Sequence, residues 1–228
     1  MARVQQRSFV LVPGAGGNAG FWQLVQPLLQ RAGHDSVAVT LPNWPGATIS
    51  DHADAIVTAA GAPEEITLVA QSMGGFAAPL TCDRLPVSEL VLLNAMIPAT
   101  GETAGEWWGN SGQAEAMRIN DLREGRDPDS GFDAQIYFLH DVAPDVLALL
   151  SGEEEPADSL FQTRFPLTRW PDVPTSVLAG RDDRFFPYEF QRQVARDRLG
   201  LEVEQLPGGH LLALSQPEAL ATRLIRDL

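Results

Sequence analysis

Short apolar runs alternate along the chain with longer amphipathic stretches. Residues 9–12, 36–41, 66–70, 90–93, 175–179 and 201–205 are the runs, and their length and apolar, often β-branched content predict strands buried on both faces. Between them the apolar spacing changes to a helical period. Phe21, Leu24, Val25, Leu28 and Leu29 share one face of a segment that Gly33 terminates. Further helices are predicted over 50–60, closing at Gly61, and over 75–83, where Pro79 introduces a kink. Another starts near Pro187, and the last follows a capping box at Ser215-Gln216-Pro217-Glu218. Strand and helix in alternation imply an α/β fold, a mostly parallel sheet of about six strands with helices on both faces.

The alternation is interrupted once. Residues 96–170 are aromatic, acidic and broken by Gly and Pro, with Trp107-Trp108 and helix-like patches at 113–122, 134–140 and 144–150. The acidic run Glu153-Glu154-Glu155 reads as solvated surface. The segment is too apolar for disorder and is read as a helical insertion. The expected division is therefore a core of residues 1–95 and 171–228 with a cap of residues 96–170.

Ligand sites in parallel sheets lie at the carboxyl ends of the strands. The third strand ends in Ala70-Gln71-Ser72-Met73-Gly74-Gly75, a G-x-S-x-G elbow with Ala70 in the first glycine position. A sharp strand–turn–helix needs minimal side chains two residues before and after the serine. Such a turn lifts Ser72 clear of the backbone, above a helix N-terminus that favours developing negative charge. The plain alternative is a serine N-cap on a glycine-rich turn. A serine nucleophile needs a base, and the base an orienting carboxylate. Of the four histidines, His34 falls on a turn, His52 on an apparently exposed helix and His140 in the insertion. His210 follows a strand end in a glycine-rich loop, which makes it the preferred base. Asp182 and Asp183 follow the fifth strand and both qualify as the acid. The end of the fourth strand carries Asn94, which cannot bear charge. The oxyanion of a tetrahedral intermediate would be held by the N–H of Met73 and by one from the loop after the first strand, most plausibly Ala15.

That loop also fits a competing pattern. Gly14-x-Gly16-x-x-Ala19 matches a dinucleotide fingerprint, yet Thr40-Leu41-Pro42 stands where an acidic ribose ligand is needed. All sixteen basic residues are arginine, so the lysine of the commonest dehydrogenase relay is missing as well. A nicotinamide enzyme is thus a remote reading, and no cofactor or metal is expected. Cys82, the single cysteine, permits neither an intrachain disulfide nor a cysteine metal cluster. A net charge of −14 disfavours nucleic acid and anionic membrane as partners. No run approaches the roughly 20 apolar residues of a membrane span, and the N-terminal apolar run is too short for a signal peptide. These features predict a soluble, cytoplasmic protein.

The order Ser72, acid, His210, together with the elbow, the glycine loop and the insertion after the fourth strand, resembles the α/β-hydrolase superfamily over nearly the whole chain. Gly14-Ala15-Gly16-Gly17-Asn18-Ala19-Gly20-Phe21-Trp22 is similar to the loop and first helix of small esterases grouped with hydroxynitrile lyases and methyl-ester esterases. The resemblance selects Asp183, the last residue of a G-x-x-D turn, and makes the insertion a lid. It implies a cofactor-independent hydrolase of a small, fairly apolar carboxylic ester, lactone or thioester, as a monomer or homodimer. Trp107, Trp108, Phe132, Phe138 and His140 are candidates to line its pocket, with packing inside the cap as the alternative for each. The sequence departs from the group at Pro13, where the oxyanion motif has histidine, at Ala70, and in starting at the strand this fold counts third. Leu211 follows His210 where the lyases carry lysine, which favours ester hydrolysis over a lyase. A ligand receptor on the same scaffold is a further alternative.

Overall fold

The computed structural model describes residues 6–148 and 155–226. Its strands are β1 (Ser8–Val12), β2 (Asp35–Ala38), β3 (Ile66–Gln71), β4 (Val87–Leu93), β5 (Thr175–Gly180) and β6 (Val203–Leu206). They form one parallel sheet in the order β2-β1-β3-β4-β5-β6. The helices are α1 (Gln26–Arg31), α2 (Ile49–Ala60), α3 (Gly74–Ala77), α4 (Ala104–Ser111), α5 (Gln113–Arg123), α6 (Ala134–Tyr137), α7 (Pro144–Leu147), α8 (Asp158–Gln162), α9 (Tyr188–Leu199), α10 (Leu212–Ser215) and α11 (Pro217–Ile225).

Each strand feeds two cores because successive side chains point to opposite faces. Val10, Val12, Leu68, Ala70, Leu90, Leu92, Val177 and Ala179 pack under α2, α3 and α9. Phe9, Leu11, Val69, Val91, Leu93 and Leu178 pack under α1, α10 and α11. A sheet covered on both faces explains why its strands read as continuous apolar runs. No helix among the described residues is long and apolar enough to cross a membrane.

Several elements differ from expectation for identifiable reasons. The first amphipathic segment splits into a 3₁₀ turn, Ala19–Trp22, and α1. Pro27 has no N–H to continue a helix begun upstream and instead sits in the first turn of α1. The helix after Ser72 is α for four residues and then tightens to 3₁₀ over Ala78–Thr81, with Pro79 at the transition. The Ser215 capping box does not form. Ser215 is the last residue of α10, α11 is capped at Gln216 without a side-chain bond, and the Ser215 hydroxyl has no hydrogen-bond partner. His52 is buried, not exposed, with Nε2 2.9 Å from the Pro42 carbonyl oxygen. The helix α4 was not expected, although Thr103 and Glu106 cap it reciprocally. The patch expected over 144–150 is helical to Leu147; its end, and Glu153 and Glu154, lie outside the described residues.

Candidate active site

The ends of β3 and β4 carry the only two non-glycine residues with positive φ among the described residues, Ser72 at 50° and Asn94 at 44°. A side chain held in the left-handed region stores strain, and such outliers concentrate at functional positions. The Ser72 turn is fixed from several sides. Its N–H donates to the Leu93 carbonyl at 3.2 Å, and its carbonyl accepts from Gly75 at 3.1 Å and Met96 at 2.9 Å. A Cβ at Gly74 would lie 2.6 Å from the Pro13 carbonyl oxygen, so the elbow closes against the β1 loop only with glycine there. Ala70 lies within β3, fully buried, and its methyl is part of the core.

His210 reaches Ser72 from the loop after β6. Its Nε2 is 3.2 Å from Ser72 Oγ and its Nδ1 is 2.8 Å from Asp183 Oδ2. The carboxylate can only accept, so Nδ1 carries the proton and Nε2 is free to accept from the serine hydroxyl. Asp183 is anchored through its other oxygen, which accepts from Phe185 N–H at 2.9 Å and Phe186 N–H at 2.8 Å. Asp183 and His210 are almost fully buried. Asp182 takes a different course. It pairs with Arg181 at the surface, and that hydrogen bond holds its carboxyl below the usual carboxylate range.

Three phenyl rings enclose the imidazole. Phe138 stacks on it with centroids 5.0 Å apart, while Phe185 and Phe186 meet it edge-on at 5.3 and 4.9 Å. The first comes from the insertion, the other two from the turn after β5. The enclosure limits water around the ring.

A cavity of about 470 Å³ opens beside Ser72, lined by the Pro13–Gly14–Ala15–Gly16 loop, Asn18, Phe21, Gln71, Phe132, Phe138, Leu139, Leu211 and Leu214 among others. Ala15 is exposed on its rim and Met73 is buried at the start of the elbow helix. The loop is braced by Gly17 N–H to the Gly14 carbonyl, 3.2 Å, and by Leu41 N–H to the Gly17 carbonyl, 2.9 Å. These bonds anchor it although Pro13 replaces the histidine.

The five aromatic and imidazole candidates separate. Phe132 and Phe138 line the cavity. Trp107 is fully buried, packs against Phe186 and Phe190, and donates its indole N–H to the Ile97 carbonyl at 3.0 Å. Trp108 packs on Phe185 and Phe186 behind the site. His140 faces a separate cavity of about 640 Å³ with Asp141, Asp182 and Arg184. Burial, then the Arg184 charge, lowers its pKa, against the pull of Asp141. Neither tryptophan nor His140 lines the cavity beside Ser72. Gln71, Asn18, Phe21, Leu139, Leu211 and Leu214 do, and they were not anticipated. Leu211 adjoins His210 in sequence, a signal that was available. Leu139 depends on how the insertion folds back. Among the described residues no group of three or more His, Cys, Asp or Glu could hold a metal ion.

The chain is 25% identical over 252 residues to polyneuridine aldehyde esterase of Rauvolfia serpentina, covering 97% of this chain and 95% of that one. It is 26% identical over 245 residues to the alpha-hydroxynitrile lyase of Arabidopsis thaliana, covering 95% of each. The crystal structure of polyneuridine aldehyde esterase superposes with a TM-score of 0.77 at 22% identity, covering 98% of this chain and 99% of that one. The alpha/beta hydrolase family profile matches residues 9–223. With that match spanning nearly the entire sheet and both loops that meet at Ser72, the chain belongs to the alpha/beta hydrolase family.

Proposed function

We propose that this chain is a cofactor-independent serine carboxylesterase for small, fairly apolar esters. The observation that carries the reading is the unbroken line of hydrogen bonds from Asp183 through His210 to Ser72. The relatives named above include an esterase, and the cavity beside Ser72 is lined mainly by apolar side chains.

Ser72 Oγ attacks the ester carbonyl carbon as His210 Nε2 takes its proton. Asp183 keeps Nδ1 protonated and stabilises the imidazolium that forms. The carbonyl oxygen gains the negative charge and is held by the N–H groups of Ala15 and Met73; losing such a donor raises a barrier by about 3–4 kcal/mol. The tetrahedral intermediate collapses, the C–O bond to the alcohol breaks, and His210 returns the proton to the leaving oxygen. Water, deprotonated by the same imidazole, then releases the acid and restores Ser72.

The test is turnover of p-nitrophenyl esters and labelling by a fluorophosphonate. Ser72→Ala should fold normally, lose at least about 10³-fold in kcat and take up no label. Retained turnover in that variant would sink the assignment. The hydroxynitrile lyase relative supplies a second reading, which would show itself as cyanohydrin cleavage without ester hydrolysis. The lyases' lysine after the catalytic histidine is Leu211 here, and this supports the esterase.

A further inference from the structure

We infer that Asn94 is a positioning residue for the reaction, holding the acid loop and the base loop in register. The inference rests on the serine-hydrolase reading. Asn94 ends β4, is completely buried, and adopts φ 44° immediately beside the strained Ser72. Its side chain is hydrogen-bonded at both ends of the amide. Nδ2 donates to the carbonyl oxygens of Gly209 and His210, each at 3.0 Å. Oδ1 accepts from the Gly180 N–H at 2.7 Å and from Gln191 Nε2 at 3.4 Å. Gln191 donates one N–H to the Phe186 carbonyl at 2.7 Å and shares the other between Asn94 Oδ1 and Asp183 Oδ2, each at 3.4 Å. One amide thus joins the segment that starts the Asp183 turn to the segment that presents His210.

The join matters because the histidine loop is intrinsically soft. Gly208 has φ 110°, and Gly209 follows it directly before His210. Glycines leave the backbone many accessible conformations, so external bonds must select one. Asp182 and Asp141 side chains hold the N–H groups of Gly208 and Gly209, at 3.3 and 2.6 Å. Asn94 holds the two carbonyls that follow. The serine–imidazole contact is 3.2 Å, at the long end of a productive hydrogen bond, so a slip of half an ångström breaks it.

Only an amide satisfies this position. A carboxylate of the same shape would keep the acceptor, lose both donors and face two carbonyl oxygens. An alanine would remove all four bonds. Catalytic geometry is sensitive on this scale, and a 1 Å misplacement can cost about 10²-fold in rate.

The experiment compares full-length wild type, Asn94→Ala and Asn94→Asp in steady-state hydrolysis of a p-nitrophenyl ester and in the rate of fluorophosphonate labelling. We expect kcat to fall at least tenfold in both variants with KM within about threefold, and labelling of Ser72 to slow in parallel, in protein that still melts cooperatively. A residue that served stability alone would lower the melting temperature and leave the kcat of the folded fraction unchanged. Variants with kcat within twofold of wild type overturn the inference. So does failure of both to fold, because a residue without which the chain cannot fold serves the structure as a whole and not the geometry of the reaction. Wild type that neither turns over ester nor labels would bring down the hydrolase reading itself; an active wild type with unimpaired variants rejects only Asn94.

Discussion

The insertion between β4 and β5 is two structures with different attachments. Its ends form an anchor. Glu102, just ahead of α4, binds Arg198 of α9 through both oxygens, at 2.5 and 3.0 Å, and also accepts from Ala99 N–H and Asn110. Phe165 returns to bond the Glu102 carbonyl at 2.8 Å, and Trp107 drives its ring into the main core. Its middle forms a roof. The helix α6 is one turn long, Phe132 is 56% exposed, and contacts with the core include Phe138 on the imidazole, Asp141 on Gly209 and Val142 in the packing under α10 and α11. The anchor thus holds the ion pair and the tryptophan that tie the insertion to the core, and the roof holds the contact with His210. Stability and turnover should accordingly respond to different halves.

Trp107→Ala should separate the two halves most strongly. Removing a fully buried indole should lower stability by about 3–5 kcal/mol and leave the kcat of folded protein little changed. Chemical denaturation with activity measured below the transition checks both parts.

Arg198→Met comes next. It leaves the Glu102 carboxylate buried without its cation, and the expected loss is about 3 kcal/mol. Burial opposes ionisation of Glu102, yet its bonds from Arg198, Ala99 and Asn110 hold its carboxyl below the usual range. A lowered folded pKa means the folded state binds fewer protons. The contribution is therefore complete above the ordinary carboxylate pKa and disappears as pH falls through the lower folded value. As pH falls below the ordinary carboxylate range, wild type should lose stability more steeply than Glu102→Gln, and equal slopes would remove this pair from the anchor.

The smallest effect belongs to the roof. Phe138→Ala should change stability by no more than about 1.5 kcal/mol, while kcat/KM falls about tenfold through loss of the ring over His210. A larger stability change with unaltered kcat/KM would reverse the assignment of the two halves.

Legibility in the sequence follows the same division. The six strands were readable because a sheet buried on both faces demands unbroken apolar runs, and the strand ends then located Ser72, His210 and the aspartate pair. Asp182 and Asp183 are chemically identical neighbours, and the residues alone left the choice open. The fold tells them apart, by turning Asp183 into the Phe185 and Phe186 N–H groups and Asp182 to Arg181. Trp107 and Phe138 are equally aromatic in the sequence, yet one became core and the other faces the cavity. Their places depend on where short, loop-linked helices fold back, which local periodicity does not encode.

The parallel sheet, the elbow and the inventory of reactive groups follow from local residue patterns and chain order. Which groups touch follows from packing. Asn94 shows the difference. In the sequence it is a residue unable to carry charge, and in the fold its side chain joins it to the end of β5, 86 residues away, and to the loop that carries His210, 116 residues away. Contacts at such separation arise from packing of the whole sheet, and no window of neighbouring residues contains them.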